Sequence, residues 1–159
     1  MSRVGFGFDL HPLVAGRPLV LGGVTVPSEV GLDGHSDADA LSHAVGEALL
    51  GALALGDLGR HFPDTDPRWR GISSLLLLGR VVELVRSRGA TLVNVDATVL
   101  AQVPKLAPHL PEMAERLADV LGLPVERVSV KAKSPEGLGL VGRREGIVAM
   151  VVVSLEVHE

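Results

Sequence analysis

Cysteine and tyrosine are absent from this sequence of 159 residues, and the aromatic side chains are three phenylalanines and one tryptophan. The absence of cysteine excludes a disulfide scaffold, thiol catalysis and any cysteine-ligated zinc or iron–sulfur centre. With so few aromatic residues, the core must consist mostly of leucine, valine and alanine.

Long hydrophobic runs and an excess of basic charge are also missing. The longest apolar runs, such as residues 149–153, are far shorter than the roughly 20 residues that span a bilayer. The first residues contain no apolar block typical of a signal peptide. The formal net charge is −4, which gives no polycationic surface for nucleic acid or anionic lipid. We therefore expect a cytoplasmic protein with no nucleic-acid or membrane partner.

The chain does contain enough apolar sequence for a folded domain. Hydrophobic residues make up 47% of it and charged residues 21%, which excludes a disordered or low-complexity chain. No internal repeat, charge tract or flexible linker divides the sequence. We expect a single domain over residues 1–159.

Local patterns predict an α+β fold with helices on one face of a mixed sheet. Residues 147–153 are apolar on both strand faces, which predicts a subunit interface behind that strand. The glycine pair Gly22-Gly23 predicts a hairpin turn. Strands are predicted over 4–10, 19–26, 91–102, 127–133 and 147–157, helices from Ser36 or Asp37 to about 55, over 74–88 and over 108–121, and loops over 31–39, 56–71 and 135–146.

Asp9 and His11 lie two residues apart on the first predicted strand. Alternation along a strand points both side chains to one face and turns Leu10 toward the core. A carboxylate and an imidazole at this spacing can form two ligands of a divalent transition metal. Taken alone, the pair more often represents a capping aspartate and a surface histidine.

His43 offers a third ligand, one turn into the helix predicted to begin near Asp37. Asp39, His43 and Glu47 would share one helix face, so that Glu47 or Asp39 accepts the second ring N–H of His43 and fixes its tautomer. Ordinary helix capping would explain the serine and aspartates equally well. Together with the strand pair, however, three ligands leave one tetrahedral position open, which is typical of a catalytic zinc.

Four more segments carry polar residues. His35 and Ser36 precede the helix, where backbone N–H groups favour a phosphate. The acidic loop 56–66 can bind substrate hydroxyls or a second cation, or simply form solvated turns. In 131–143, Ser134 can donate to a diphosphate, Glu136 can hold Mg²⁺ and Arg143 can pair with charge, although a hairpin with a charged rim is an equal alternative. Residues 101–106 end a strand and turn through Pro104; their backbone can read a base edge or simply form a turn.

Jointly, these segments resemble the 2-C-methyl-D-erythritol 2,4-cyclodiphosphate synthase family of isoprenoid biosynthesis. The resemblance covers residues 5–155 and includes the motifs G-x-D-x-H, H-S-D-x-D-x-x-x-H, G-D-[IL]-G, F-P-D-T-D, A-Q-x-P-K and K-A-x-[ST]-x-E-x-[LM]-G. It implies a ferredoxin-like two-layer sandwich assembled as a homotrimer with active sites between subunits. It also implies a lyase that cyclises 4-diphosphocytidyl-2-C-methyl-D-erythritol 2-phosphate and expels CMP.

The resemblance assigns roles to individual residues. It implies Zn²⁺, or another divalent transition metal such as Mn²⁺ or Co²⁺, on Asp9, His11 and His43, and Mg²⁺ or Mn²⁺ on Glu136 with the diphosphate. His35 and Ser134 would act catalytically by polarising the transition state, together with Glu136. The substrate would contact Asp9, His11, His35, Ser36, Asp57, Leu58, Gly59, Phe62, Pro63, Asp64, Thr65, Asp66, Lys133, Ser134, Glu136, Leu140 and Arg143. The cytosine pocket, lent by the adjacent subunit, would comprise Ala101, Gln102, Val103, Pro104, Lys105, Leu106 and Ala107.

Three positions depart from the family pattern. Leu140 replaces a frequent aromatic near the trimer axis, Lys133 replaces a frequent threonine beside the diphosphate, and Glu47 replaces a shorter aspartate. Two other functions use the same features. A zinc-dependent phosphodiesterase would let water attack at the open metal position, and a non-catalytic trimer would bind nucleotides or isoprenoid diphosphates.

Overall fold

The computed structural model describes residues 1–158, which form two sheets and five α-helices. The strands are β1 (Ser2–Ala15), β2 (Leu19–Leu21), β3 (Val24–Val26), β4 (Val30–Leu32), β5 (Ala90–Leu100), β6 (Val128–Lys133) and β7 (Gly146–Val157). The helices are α1 (Ala40–Ala52), α2 (Leu58–His61), α3 (Ser74–Ser87), α4 (Leu110–Leu121) and α5 (Gly139–Gly142).

The larger sheet has five strands in the order β4–β1–β7–β5–β6. β7 lies at its centre and pairs antiparallel with β1 and with β5, whereas β5 and β6 are parallel. β2 and β3 form a separate hairpin. The sheet is therefore mixed, as the sequence predicted.

The helices α1, α3 and α4 cover one face of this sheet. The inward residues of β7, from Ile147 to Leu155 at every second position, are completely buried beneath them. Leu49 of α1, Val81 of α3 and Leu117 of α4 enter the same core. These contacts confirm the predicted α+β arrangement with its aliphatic core.

α1 crosses β1 at unusually short distance because the facing strand positions are glycines. A Cβ atom built on Gly5 would lie 1.9 Å from the carbonyl oxygen of Ala48, and one on Gly7 would lie 1.8 Å from that of Ala44. No side chain fits in either position without moving the helix. The glycines therefore set the distance between the strand and the helix.

The opposite face of the sheet carries apolar side chains in contact with solvent. Val4, Phe6, Phe8 and Leu10 alternate with the glycines along β1 and are 43–68% exposed. Val152 of β7 lies opposite Phe6 in the strand register and is 43% exposed. The prediction that Leu10 faces the core is wrong, because the helices cover only the side on which Gly5 and Gly7 lie.

Several predicted boundaries also need correction. β1 continues to Ala15, β4 overlaps the start of the predicted loop 31–39, and α2 and α5 lie within predicted loops. α1 begins later than predicted, since its cap is Asp39 rather than Ser36 or Asp37. The Asp39 carboxylate accepts hydrogen bonds from the backbone N–H groups of Ser42, Gly22 and Gly23. It thereby joins the start of the helix to the predicted hairpin turn.

Among residues 1–158, no helix is both long and apolar enough to cross a membrane.

Candidate active site

Asp9 and His11 lie two and four positions after Gly7 in β1, and so on the same face of the strand as Gly5 and Gly7. Alternation therefore turns both side chains toward α1. Because the glycines bring α1 close to the strand, His43 on the second turn of that helix reaches the same point. The three predicted ligands lie together, with one donor atom from each within 4.8 Å of the others.

The donor atoms converge on one carboxylate oxygen of Asp9. Its Oδ2 lies 2.8 Å from Nδ1 of His11 and 3.3 Å from Nδ1 of His43. Two ligand atoms on a tetrahedral zinc at about 2.0–2.2 Å lie roughly 3.4 Å apart. The spacing therefore fits a shared ion after small rotamer changes.

Two of these donor atoms are buried without a partner. Oδ2 of Asp9 and Nδ1 of His11 are inaccessible to solvent, yet neither makes a hydrogen bond of acceptable geometry. A buried polar atom without a partner costs free energy, and a cation bound between the atoms removes that cost. The chemistry of the donor set, one carboxylate and two imidazoles, suits zinc.

The protonation equilibria of the trio favour a bound positive charge. Burial alone would raise the pKa of Asp9, but its contacts with His11 and His43 outweigh burial and hold that pKa below the usual value. Burial alone would lower the pKa of His43, but the neighbouring Asp9, Asp39 and Asp37 together raise it. Asp9 is therefore an ionised ligand, and the site attracts either a proton or a metal ion.

The predicted partners of the second His43 nitrogen are wrong. Glu47 instead accepts the backbone N–H of Leu58 at 3.0 Å, and Asp39 is fully occupied as the cap of α1. Nε2 of His43 lies 2.7 Å from the hydroxyl of Ser74 and 3.1 Å from that of Ser36. No sequence motif predicted this contact with Ser74, which lies 31 residues away at the start of α3.

A pocket of about 500 Å³ opens beside the three ligands. Most of the predicted substrate contacts from the first half of the chain border it: Asp9, His11, His35, Ser36, Leu58, Gly59, Phe62, Pro63 and Asp64. The remaining predicted residues of that loop, Asp57, Thr65 and Asp66, do not line it. Asp57 caps α2 by accepting the N–H of Arg60.

His35 is held at the edge of this pocket by the loop that precedes α3. Its Nε2 lies 3.0 Å from the carbonyl oxygen of Asp66. Since a carbonyl only accepts, Nε2 carries the hydrogen, and Nδ1 donates to a phosphate only when the ring is protonated. Arg17, which no sequence motif indicated, holds the loop that carries His35 by donating to the carbonyl oxygens of Gly34 and Ser36 at 3.3 and 3.2 Å.

Trp69 was also missed as a wall of the pocket. Its ring meets Phe62 edge to face with centroids 5.2 Å apart, and Arg68 and Arg80 lie over it at 5.1 and 5.4 Å. Such contacts fix the ring orientation. Nothing in the motif around Asp64 indicated that Trp69, five residues later, would line the pocket.

A second group of predicted residues lies apart from this pocket. The backbone N–H of Gly137 donates to the side-chain oxygen of Gln102 at 2.9 Å, so the turn after β5 and the turn after β6 are joined. Lys133, Ser134 and Glu136 are exposed there, and Glu136 belongs to no metal-binding group within residues 1–158. The predicted cytosine-pocket residues that extend from this junction are Ala101, Gln102, Val103, Pro104, Lys105, Leu106 and Ala107.

Leu140 and Arg143 lie in a third place. They border a pocket of about 400 Å³ together with Leu10 and Pro12 of β1. Nε of Arg143 donates to the Glu145 carboxylate at 2.9 Å. A single chain thus brings together the three predicted metal ligands and part of the acidic loop, but not Arg143 or the residues predicted to bind the diphosphate.

Comparison with known proteins gives one consistent result. The YgbB family profile matches residues 2–156. The 2-C-methyl-D-erythritol 2,4-cyclodiphosphate synthase of Syntrophobacter fumaroxidans is 60% identical over 153 residues, which is 96% of each chain. The same-named protein of Gloeobacter violaceus is 58% identical over 154 residues, or 97% of this chain and 94% of that one. A solved 2C-methyl-D-erythritol-2,4-cyclodiphosphate synthase in a CDP-bound form superimposes with a TM-score of 0.90 at 43% identity, covering 97% of this chain and 100% of that one.

Proposed function

This chain is a member of the YgbB family, and from that premise we propose that it forms 2-C-methyl-D-erythritol 2,4-cyclodiphosphate. The substrate is 4-diphosphocytidyl-2-C-methyl-D-erythritol 2-phosphate, and CMP is released. The observation that carries the proposal is the convergence of Asp9, His11 and His43 at the mouth of a pocket in a chain that matches synthases along nearly its whole length.

The reaction is an intramolecular phosphoryl transfer. An oxygen of the 2-phosphate forms a bond to the β-phosphorus, and the bond from that phosphorus to the CMP oxygen breaks. The nucleophile is already an anion, so the reaction needs positioning and charge neutralisation more than a strong base.

We propose that Asp9, His11 and His43 hold a zinc ion or a similar divalent metal. When bound, the ion acts as a Lewis acid that withdraws charge from phosphate oxygens. His35 and the Ser36 hydroxyl contact the methylerythritol phosphate end of the substrate. Leu58, Gly59 and the segment from Phe62 to Asp66, with Asp57 at its start, enclose the sugar carbons and hydroxyls.

The diphosphate and the cytosine require the second group of residues. Lys133 supplies positive charge, Ser134 donates toward the transferring phosphoryl group, and Glu136 holds Mg²⁺ or Mn²⁺ with the diphosphate. The segment from Ala101 to Ala107 receives the cytosine. The hydrogen bond between Gly137 and Gln102 supports treating the two segments as one unit.

We propose that this unit reaches the metal ligands of a neighbouring copy in a homotrimer of ferredoxin-like sandwiches. Two observations support the assembly. The unit does not border the pocket beside Asp9 in its own chain, and the uncovered sheet face carries Phe6 and Phe8 in solvent, as expected of a surface that is buried by another subunit. Leu140 and Arg143 would then lie toward the trimer axis.

Phosphorus NMR of the product tests the proposed function. We expect the purified protein with Zn²⁺ and Mg²⁺ to convert the substrate into a cyclic diphosphate and CMP. An open-chain bisphosphate would indicate hydrolysis instead, and an unchanged spectrum would indicate a binding protein.

A further inference from the structure

The second nitrogen of His43 ends in a buried network that no motif of the sequence indicated. Ser74 is 1% exposed, and its hydroxyl lies 2.7 Å from Nε2 of His43. The Asp37 carboxylate contacts the same serine twice, through the hydroxyl and through the backbone N–H, the latter at 3.0 Å. Asp37, Ser74 and His43 therefore form a continuous chain that ends at the metal ligands.

The direction of each hydrogen bond in this chain follows from its chemistry. An ionised carboxylate only accepts, so the Ser74 hydroxyl hydrogen points at Asp37. With its only hydrogen directed at Asp37, the hydroxyl can act toward His43 only as an acceptor through its lone pairs, so the hydrogen between Ser74 and His43 must be on Nε2. A neutral His43 consequently presents the lone pair of Nδ1 to Asp9, which is the arrangement that a metal ligand needs.

We propose that Ser74, oriented by Asp37, is a positioning residue that fixes the tautomer and ring orientation of His43. The inference deepens the proposed function and rests on its metal site. Ser74 makes no hydrogen bond to Asp9 or His11 and does not itself line the substrate pocket, which it reaches only through His43 and through the Ser36 hydroxyl at 3.4 Å. The Ser36 hydroxyl, 3.1 Å from Nε2, is a weaker second acceptor because the backbone N–H of Ala38 already donates to it.

The test is the zinc affinity of the metal-free protein, measured by competition with a chromophoric chelator. We expect Ser74→Ala to weaken zinc binding by about 10–100-fold, the usual effect of losing such a partner. Ser74→Thr keeps the hydroxyl and should stay within a few-fold of wild type. Ser73→Ala is the matched control, because Ser73 is the exposed neighbouring serine and makes no side-chain capping bond.

A nitrogen-15 NMR spectrum of neutral His43 gives a readout that a purely structural role would not change. The wild-type ring should be protonated at Nε2 alone, whereas Ser74→Ala should show a mixture of tautomers. If Ser74→Ala fails to fold, Asp37→Asn tests the same chain, since it releases the serine hydroxyl to rotate and should lower zinc affinity by several-fold.

Three results would overturn the inference. Wild-type zinc affinity and a single tautomer in Ser74→Ala, or in Asp37→Asn where that variant is used, would show that the chain does not position His43. A loss in Ser74→Thr as large as in Ser74→Ala would indicate packing rather than the hydroxyl. Failure of the wild-type protein to bind zinc would overturn the proposed metal site as well as the role of Ser74. Normal zinc binding by wild type with no effect of the substitutions would overturn the role of Ser74 alone.

Discussion

Single residues determine the chemistry of this site through the atoms they turn toward one another. Asp9 Oδ2 is the point on which both imidazoles converge, and it is buried without a hydrogen bond of its own. An anionic oxygen in that position is costly unless a positive charge is bound beside it. The site therefore depends on each ligand for more than its own bond to the metal.

His43→Ala tests this dependence. We expect zinc affinity to fall by more than about 100-fold and CMP release to be abolished, because loss of a ligand costs more than loss of a ligand's partner. Metal content by mass spectrometry and CMP release by chromatography measure the two effects. His158→Ala is the control, since His158 contacts Thr91 at the far end of β5. Full turnover by His43→Ala in metal-free buffer would contradict the assignment.

Glu136→Gln separates the two proposed cations. The substitution removes a negative charge from an exposed residue while preserving its size, so zinc bound by Asp9, His11 and His43 should be retained. Turnover should fall roughly 100-fold, as is typical when one group that stabilises the transition state is lost, and its dependence on Mg²⁺ should disappear. A Mg²⁺ titration of activity identical to that of wild type would remove the role of Glu136.

The limit of prediction from sequence is clear at this scale. Asp9, His11 and His43 were predictable because the alternation of a strand and the turn of a helix are local rules. Ser74 was not predictable, since its contact with His43 depends on how α3 packs against α1. Glu47 was chosen for the same role because it lies one turn away in sequence, yet the α2 backbone takes its carboxylate.

Between elements, the distance from α1 to β1 decides whether three separate side chains form one site. That distance is set at Gly5 and Gly7, where helix carbonyl oxygens occupy the space that a Cβ would need. The predicted fold class did not require such closeness. The short distance is possible because Gly5 and Gly7 have no side chains. Hydrophobic periodicity does not reveal this feature.

Gly7→Ala should therefore damage both the fold and the site. The added methyl forces α1 away from β1, and we expect a loss of about 1–3 kcal/mol in the free energy of unfolding, as for other overpacked cores, together with weaker zinc binding. Denaturant unfolding and chelator competition measure the two losses.

Gly79→Ala provides the contrast, because Gly79 lies within α3 with no atom near the added methyl. That variant should be more stable than wild type by up to roughly 1 kcal/mol, as alanine favours helix. Equal zinc affinity in Gly7→Ala and wild type would show that the helix does not carry His43 away from Asp9.

At the scale of the whole molecule, the two faces of the sheet differ in what covers them. Helices cover one face, and the other presents Val4, Phe6 and Phe8 to solvent. The apolar sequence of 147–153 predicts a subunit interface on the second side, which stays a prediction for a single chain. The alternation around Asp9 and His11 wrongly placed Leu10 toward the core. The sequence pattern alone does not say which side of a strand the helices will cover.

Phe6→Asp should prevent assembly while leaving the metal ligands in place. A buried carboxylate between subunits is costly, so we expect smaller particles in light scattering, loss of CMP release and near-normal zinc binding per chain. Leu76→Asp introduces the same charge at a residue of similar exposure on α3 and should leave assembly unchanged. A trimer of wild-type size in Phe6→Asp would place the interface elsewhere.

The number of residues in β1 matters as much as their identity. Its odd-numbered positions from 5 to 11 accommodate the helix and carry two of the three proposed metal ligands, while its even-numbered positions from 4 to 10 carry the apolar surface. Insertion or deletion of one residue here would exchange the two sets, because every following side chain changes sides. Aromatic rings would then collide with α1, and the carboxylate and imidazole would point to the opposite face of the sheet. This segment can accept substitutions at chosen positions. A shift of its register by even one residue, however, should eliminate folding, the proposed assembly and the proposed metal binding together.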